Sequence, residues 1–371
     1  MRRDLAERLL AKIMNWTDEE KARERAFLES FAAYKYDEYQ QYAPGLRFLE
    51  SLARWLRQFQ NFNERRIAYD FIKNQLIFVS EAEITHLVEL AYPTFVRPWL
   101  LEKTANEIGI LHNRVKKLVT TTQYRLNLRK TLVLGLSDGA RTDSFRRANP
   151  QVISNEQIWH AYDVSDAKAK DIQENLSSDL AKILGEEPDP STAKFGTVVL
   201  LDDFTASGTS YLRKEDGVWK GKIAKIVRKL DSNEELGALI PEANVQVIVV
   251  IYVAAPQAIE HIERELPKLP FGKGQIEFQI VHRLNPSTKL TGVDHPELFE
   301  LLKNPKYFDN SADDEHGAKG GGTVRFGYAD CRLPVVLSHN TPNNSLFILW
   351  AEDILNVHGL FPRVSRHRTF E

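Results

Sequence analysis

The run Val198 to Ser210, VVLLDDFTASGTS, constrains what this chain can fold into more than any other part of its sequence. Val198 to Leu201 have the character of a short strand buried on both faces. Two acids, Asp202 and Asp203, follow at the C-terminal edge, where open α/β sheets bind ligands. Small and hydroxyl-bearing residues come next: Thr205, Ala206, Ser207, Gly208, Thr209 and Ser210. Such a loop lets backbone N–H groups approach an anion closely, and its hydroxyls add hydrogen bonds. The helix expected after it contributes its N-terminal dipole. Anion binding after two carboxylates makes sense for a sugar phosphate: the acids accept hydrogen bonds from vicinal ribose hydroxyls while the loop holds the phosphate. The competing reading is an acidic turn between a core strand and a helix.

The surrounding pattern places this run in an α/β domain. TLVLGL, from Thr131, reads as a buried strand ending in the turn-like SDGARTD. Residues Asp166 to Leu184 have helical periodicity, as has GKIAKIVRKLD. VQVIVVIYVAA is a third strand, PQAIEHIERELPKL a helix with Pro256 near its start, and QIEFQIVHRL a fourth strand. Continuous apolar strands alternating with helices predict a parallel sheet covered on both faces, with right-handed crossovers.

Residues 1–125 read as all-helical. Leu49, Leu52, Trp55 and Leu56 share one face of LRFLESLARWLRQF, and RRIAYDFIKNQLIF continues in the same style. Ser80 with Glu83 is a capping-box signature. Pro93 and Pro98 are expected to break or restart the helix, and TANEIGILHNRVKKLVTTTQYRL to supply another. The expected organisation is therefore a helical domain over 1–125 and an α/β domain over 126–371 with an irregular C-terminal extension. In that extension NSADDEHGAKGGGT reads as an exposed loop, LPVVLSH as one more strand, and SLFILWAEDIL as strand or helix.

Composition narrows the function classes. The chain has 371 residues, enough for two or so domains, with 43% hydrophobic and 27% charged residues. A net charge of −2 excludes a global basic field for gripping nucleic acid. Cys331 is the one cysteine, so no internal disulfide forms, which fits a reducing cytoplasm. The basic, amphipathic N-terminus fails as a signal peptide, and no apolar run approaches the ~18 residues that span a bilayer. The expectation is a cytoplasmic protein with no membrane partner. There is no GxxxxGK[ST] and no HExxH, and the ten histidines lack metal spacing.

The run at Val198 resembles the phosphoribosyl pyrophosphate (PRPP) motif of type I phosphoribosyltransferases: four hydrophobic residues, two acids, two more hydrophobic residues, then a small-residue phosphate loop containing glycine. The resemblance implies a phosphoribosyltransferase-like, Rossmann-like core. It implies that Asp202 and Asp203 are catalytic and face the ribose 2′ and 3′ hydroxyls, and that Ala206 to Ser210 take the 5′-phosphate. Thr205 stands where the family usually has an aliphatic residue, and Phe204 is bulkier than usual. In the same family the loop after the first core strand holds the pyrophosphate; here Gly135, Ser137, Asp138, Gly139, Ala140 and Arg141 occupy that place. Glycine permits unusual dihedrals and Arg141 suits phosphate charge. Asp138 repels pyrophosphate unless Mg²⁺ intervenes, so Mg²⁺ is the expected cofactor, held mainly by ligand phosphates and ribose rather than by a protein metal site. An ordinary strand–helix turn is the alternative for this loop.

Two further stretches carry candidates for the base or acceptor. Trp159, His160 and Tyr162 suit covering a ligand, with His160 as general acid or base; a half-buried aromatic strand is the competing reading. His339, Asn340, Asn343 and Asn344 suit reading a nucleobase edge, or else Thr-Pro-Asn-Asn is turn chemistry. Neither the flexible-loop signature of the orotate enzymes nor the aromatic hood of the purine salvage enzymes is present. Lys214, Lys220 and Lys222 read as a solvated hairpin-like insertion, and Lys319 as a surface lysine.

The Ser338–Trp350 stretch, the helical extension and the acid pair together resemble a subgroup of phosphoribosyltransferase-like proteins in bacterial conflict and antiphage systems, some encoded beside retron reverse transcriptases. That resemblance implies an antiphage or toxin effector that makes or breaks the C1 bond of PRPP or a nucleotide. It also implies an oligomer whose helical domain docks a protein partner, a retron reverse transcriptase–nucleic acid complex being one candidate. The alternative is a non-catalytic PRPP- or nucleotide-sensing regulator of the same fold.

Overall fold

The structure, a computed structural model, describes residues 3–161, 165–313, 320, 322–352 and 355–363. Tyr162 and Lys319 lie outside the described residues. Those residues contain nine strands: β1 (Ile77–Val79), β2 (Thr131–Gly135), β3 (Ile158–His160), β4 (Thr197–Thr205), β5 (Arg213–Glu215), β6 (Val218–Lys220), β7 (Val245–Ala254), β8 (Gly274–Arg283) and β9 (Val335–Leu337). The chain divides into two compact units, Ile84–Asn285 and Met1–Glu83 with Pro286–Glu371.

The Ile84–Asn285 unit is built on a five-stranded sheet of order β3-β2-β4-β7-β8, every neighbouring pair parallel. The long apolar runs become the central strands because both faces are covered. Leu132, Leu134, Val198, Leu200, Val247, Val249 and Ile251 face a cluster with Ile172, Leu176 and Leu180 of the helix Asp166–Leu184 and with Ile223, Val227 and Leu230 of the helix Lys222–Asp231. The alternate residues Val133, Val199, Leu201, Ile248 and Val250 are equally buried on the other face. Each such side chain contributes about 1.5–3 kcal/mol of transfer free energy. The aromatic stretch at Trp159 forms the half-buried edge strand β3.

The other unit interleaves the two ends of the chain. The helices Asp18–Tyr34, Phe48–Arg57 and Phe62–Gln75 share one core with Leu298, Leu349, Leu360 and Phe361. The Trp55 indole N–H donates to the Ile348 carbonyl at 2.8 Å, and the Tyr39 hydroxyl donates to the carbonyls of Phe361 and Pro362 at 3.1 and 2.9 Å. LPVVLSH supplies β9, which pairs in parallel with β1 and not with the main sheet.

Several local expectations need correction. Residues 1–125 are not all-helical: the helix ends at Gln75, and Ile77–Val79 becomes a strand because β9 offers it a ladder. The boundary falls at residues 83 and 84 rather than near 125, because the later helices pack on the sheet: the Gln157 amide donates to the Leu128 carbonyl at 2.8 Å, and Arg129 pairs with Asp179 at 2.9 Å. The capping box forms as read, with Ser80 and Glu83 bonding each other's backbone N–H at 3.2 and 2.8 Å. Pro93 and Pro98 do not interrupt the helix after it. The ladder widens into a π-turn over Tyr92–Val96, where the Arg97 N–H reaches back to the Tyr92 carbonyl, and continues through the helix Arg97–Ile108. Gly109, at φ 68°, then caps that helix, so TANEIGILHNRVKKLVTTTQYRL forms separate helices, including Val115–Val119 and Thr122–Arg129. No helix among the described residues is long and apolar enough to cross a membrane.

Candidate active site

The strand order reverses direction between β2 and β4. The chain leaves β2 for β3 on one side and resumes at β4 on the other, so the crevice beyond the C-terminal ends of β2 and β4 is the topological switch point. Gly135 pairs with Leu201 there, and the Leu136 N–H donates to the Leu201 carbonyl at 2.9 Å. The loop carrying Ser137 to Arg141 and the segment carrying Asp202 to Ser210 therefore leave the sheet side by side.

The two acids lie inside β4, which runs on to Thr205, and successive strand residues point to opposite faces. Asp202 has no solvent exposure. Its Oδ1 accepts from the Ser137 hydroxyl, and its Oδ2 from the Tyr211 hydroxyl and the Lys222 ammonium. Burial pushes the Asp202 carboxyl above the usual carboxylate range and the charge of Asp203 adds to this, while Lys222 and Ser137 pull the other way. Tyr211 is fully buried, which together with the nearby Asp202 charge raises its phenol well above the ordinary value. Asp203 is half-buried on the other face, beside Tyr252 of β7, and its Oδ1 accepts from the Phe204 N–H at 2.8 Å. Gly139 packs directly on it: a Cβ on Gly139 would lie 2.4 Å from Asp203 Oδ2.

The small-residue loop after β4 differs from the expected strand–loop–helix in one respect. Gly208 to Leu212 form a single helical turn, with the N–H groups of Tyr211 and Leu212 both donating to the Gly208 carbonyl at 3.0 Å. A β5–β6 hairpin then intervenes, turning at Asp216 and Gly217, which both have positive φ (50° and 78°). After it the Lys222 and Ile223 N–H groups donate to the carbonyls of Ser210 and Tyr211, each at 3.0 Å. The helix Lys222–Asp231 thus resumes the turn that the hairpin interrupts. Lys214 and Lys220 are exposed on this hairpin as expected, but Lys222 is not a solvated lysine, because helix resumption turns it back onto Asp202.

Thr205, read as a loop residue, is the last residue of β4; its hydroxyl is buried without a hydrogen-bond partner. Gly208 has φ 76°, and a Cβ there would meet the Ala258 carbonyl and the His261 ring at 3.0 Å. The Ser207 and Thr209 hydroxyls bond each other at 2.9 Å, and Ser210 is exposed.

In the first loop, Asp138–Ala140 form a 3₁₀ turn and Arg141 takes a left-handed conformation (φ 51°). The Tyr252 hydroxyl pins this turn by donating to the Ala140 carbonyl at 2.7 Å. Asp138 is exposed. Gly135 leaves room for His160, whose Nδ1 would lie 3.1 Å from a Cβ at that position, so β3 carries His160 to the base of this loop.

His339, Asn340, Asn343 and Asn344 belong to the other unit and form turns. The His339 carbonyl accepts from the Gln41 amide at 2.8 Å, and the Asn344 amide donates to the Tyr328 carbonyl at 3.2 Å. The residues that sequence reasoning missed are Tyr211 and Lys222. Only the DG turn between two short strand-like runs pointed to them, by marking an insertion within a helix. A separate concavity of about 730 Å³, lined by Trp99, Lys103, Gln246 and Lys273 among others, opens at the N-terminal ends of β7 and β8, away from both loops.

A parallel sheet with an acid pair, a small-residue loop and a second glycine-containing loop meeting at its switch point defines a phosphoribosyltransferase-like protein. The chain belongs to the PRTase-CE family, whose model matches residues 52–363 and so takes in parts of both units. No curated protein and no solved structure matches it.

Proposed function

We propose that the crevice between β2 and β4 binds a ribose 5-phosphate ligand, PRPP or a nucleotide, and that the chain makes or breaks the bond at its C1. The observation that carries this reading is the convergence of the two loops on the acid pair, Ser137 bonding Asp202 and Gly139 packing on Asp203. The backbone N–H groups of Ala206 to Ser210 would receive the 5′-phosphate. The orphaned Thr205 hydroxyl at the base of that loop is a buried donor that a phosphate oxygen would satisfy. Asp203 would accept from the ribose hydroxyls and orient the ring, while Asp202 anchors the two loops. Cleavage at C1 passes through an oxocarbenium-like centre, so holding the ring and the departing group in fixed geometry is the main catalytic contribution open to these residues. The Ser137–Arg141 loop would take the departing group, with Arg141 and His160 as the charged and proton-transferring side chains at its base.

Among the described residues no group of three or more His, Cys, Asp or Glu side chains is arranged to hold a metal ion. Mg²⁺ carried by the ligand's own phosphate and ribose oxygens, with water completing its shell, fits a site of this kind. Bound there, it would neutralise the pyrophosphate.

An antiphage effector acting on nucleotides is the cellular role we propose. Docking of a protein partner would then involve the unit that interleaves the chain ends. The sealed state of Asp202, which leaves one half-buried carboxylate of the pair, favours a second reading as a PRPP or nucleotide sensor. ³¹P NMR of the protein with PRPP, Mg²⁺ and a nucleotide panel separates the readings. New phosphorus resonances are expected for the enzyme; binding without product, with any activating partner included, supports the sensor; absence of binding removes both.

A further inference from the structure

The hairpin between Gly208–Leu212 and the resumed helix has a consequence for the acid pair. Tyr211 is the penultimate residue of the turn before the hairpin and Lys222 the first residue of the helix after it, and both reach the same oxygen, Asp202 Oδ2. The other oxygen belongs to Ser137 in the facing loop. A carboxylate with no exposure thus ties together three segments: the first loop, the interrupted turn and the helix. Lys222 makes the one ion pair to Asp202 among the described residues. Its side chain is 33% exposed, and its ammonium lies 4.9 Å from the centre of the Tyr211 ring, so it closes the cluster from the solvent side.

We propose that Lys222 is a positioning residue of the site: it keeps Asp202 ionised inside the protein and thereby holds Ser137, and the loop that follows it, against the acid pair. The role in ligand binding rests on the ribose phosphate reading above. The physical reason is that a buried carboxylate without a countercharge takes up a proton or breaks its surroundings. The charged and titratable groups that act on Asp202 or on its buried neighbours are Asp203 beside it on β4, Lys222 and Tyr211 from the helix side, Tyr252 on β7, and Arg141 of the first loop, whose charge reaches Tyr252. Of these, Lys222 alone supplies positive charge within ion-pair distance. Asp202 would then serve as the fixed internal post and Asp203 as the carboxylate that meets ribose.

The test compares wild type, Lys222→Met, Asp202→Asn and the double variant of the full chain. Thermal unfolding is followed from acid to neutral pH, and PRPP binding by calorimetry over the same range. Methionine keeps the stem of Lys222 over Tyr211 and removes the charge. In Lys222→Met the folded state should favour protonated Asp202, so its unfolding temperature and PRPP affinity should fall as pH rises toward neutrality, more steeply than in wild type. At neutral pH PRPP should bind roughly tenfold more weakly or worse. The double variant removes the uncompensated charge, so it should fold, lose the added pH slope and recover much of the affinity. A packing role alone would give no new pH slope and no rescue by Asp202→Asn, and either result would overturn the proposal. If wild type binds neither PRPP nor a nucleotide of the panel, the ribose phosphate reading fails and the ligand-positioning role falls with it; a nucleotide that binds replaces PRPP in the titration. The unfolding slopes still decide whether Lys222 is the charge partner of Asp202.

Discussion

Gly139→Ala tests the site at its tightest contact. An added methyl would stand 2.4 Å from Asp203 Oδ2 and 2.6 Å from its Cγ. Ordinary carbon contacts lie near 3.5 Å, so the carboxylate must withdraw by roughly 1 Å. Asp203 is a half-buried side chain rather than backbone, so it can rotate away, and the fold should lose no more than about 1 kcal/mol. The ligand should lose more. A charge-assisted hydrogen bond to ribose contributes about 1.5–3 kcal/mol, which corresponds to about 10- to 150-fold in Kd. A 1 Å displacement of a positioned group costs up to about 10²-fold in turnover. Calorimetric titration with PRPP reads the first effect, and a cycle with Asp203→Ala isolates the cause. In an Asp203→Ala background the methyl has no carboxylate to displace, so Gly139→Ala should add little. Wild-type affinity in Gly139→Ala, or full additivity of the two substitutions, would refute the assignment of Asp203 to the ribose.

Three other outcomes follow from the same geometry. Gly208→Ala meets both a left-handed backbone (φ 76°) and the Ala258 carbonyl, so it should cost about 1–2 kcal/mol and weaken ribose 5-phosphate binding more than ribose binding, as read by titration with each. Phe361→Ala removes a fully buried ring packed against Tyr36, Tyr39, Phe48 and Phe78, and should destabilise its unit by about 3–5 kcal/mol in chemical denaturation. Glu24 is buried, which alone would raise its carboxyl, but hydrogen bonds from Lys73 at 2.7 Å and Tyr69 at 2.8 Å outweigh this and hold it below the usual value of 4.5. Its stabilising contribution is therefore present above the unfolded value and lost as pH falls through the lowered folded value. Glu24→Gln should be less stable at neutral pH and show a flatter acid limb in urea melts.

The interrupted helix also explains why the site was only half legible. An acid pair after four apolar residues is a local pattern, set by the two-residue period of a strand and by the chemistry of small residues in a loop. The same holds for the periodic helix Asp166–Leu184, the Ser80–Glu83 capping box and the apolar runs of β2, β4, β7 and β8. Each was readable because neighbours in sequence decide it. Lys222 was misread because its partner is 20 residues away and its direction depends on a helix resuming after a hairpin.

The division of the chain was hidden for the same reason on a larger scale. The C-terminal stretch has weak periodicity of its own, so it reads as an irregular extension. Many of its apolar residues, Leu298, Leu349, Leu360 and Phe361 among them, are buried against the N-terminal helices, and Tyr39 bonds Phe361 and Pro362 across 322 and 323 residues. The sequence by itself determined the parallel α/β core, the acid pair and the two loops, through local periodicity and turn chemistry. Tertiary structure alone decided that Asp202 is sealed by Lys222, Tyr211 and Ser137 while Asp203 meets Gly139, and that the chain ends share one core. Those outcomes depend on which distant surfaces bury each other and on the countercharge a buried carboxylate requires, and neither is encoded in any short window of residues.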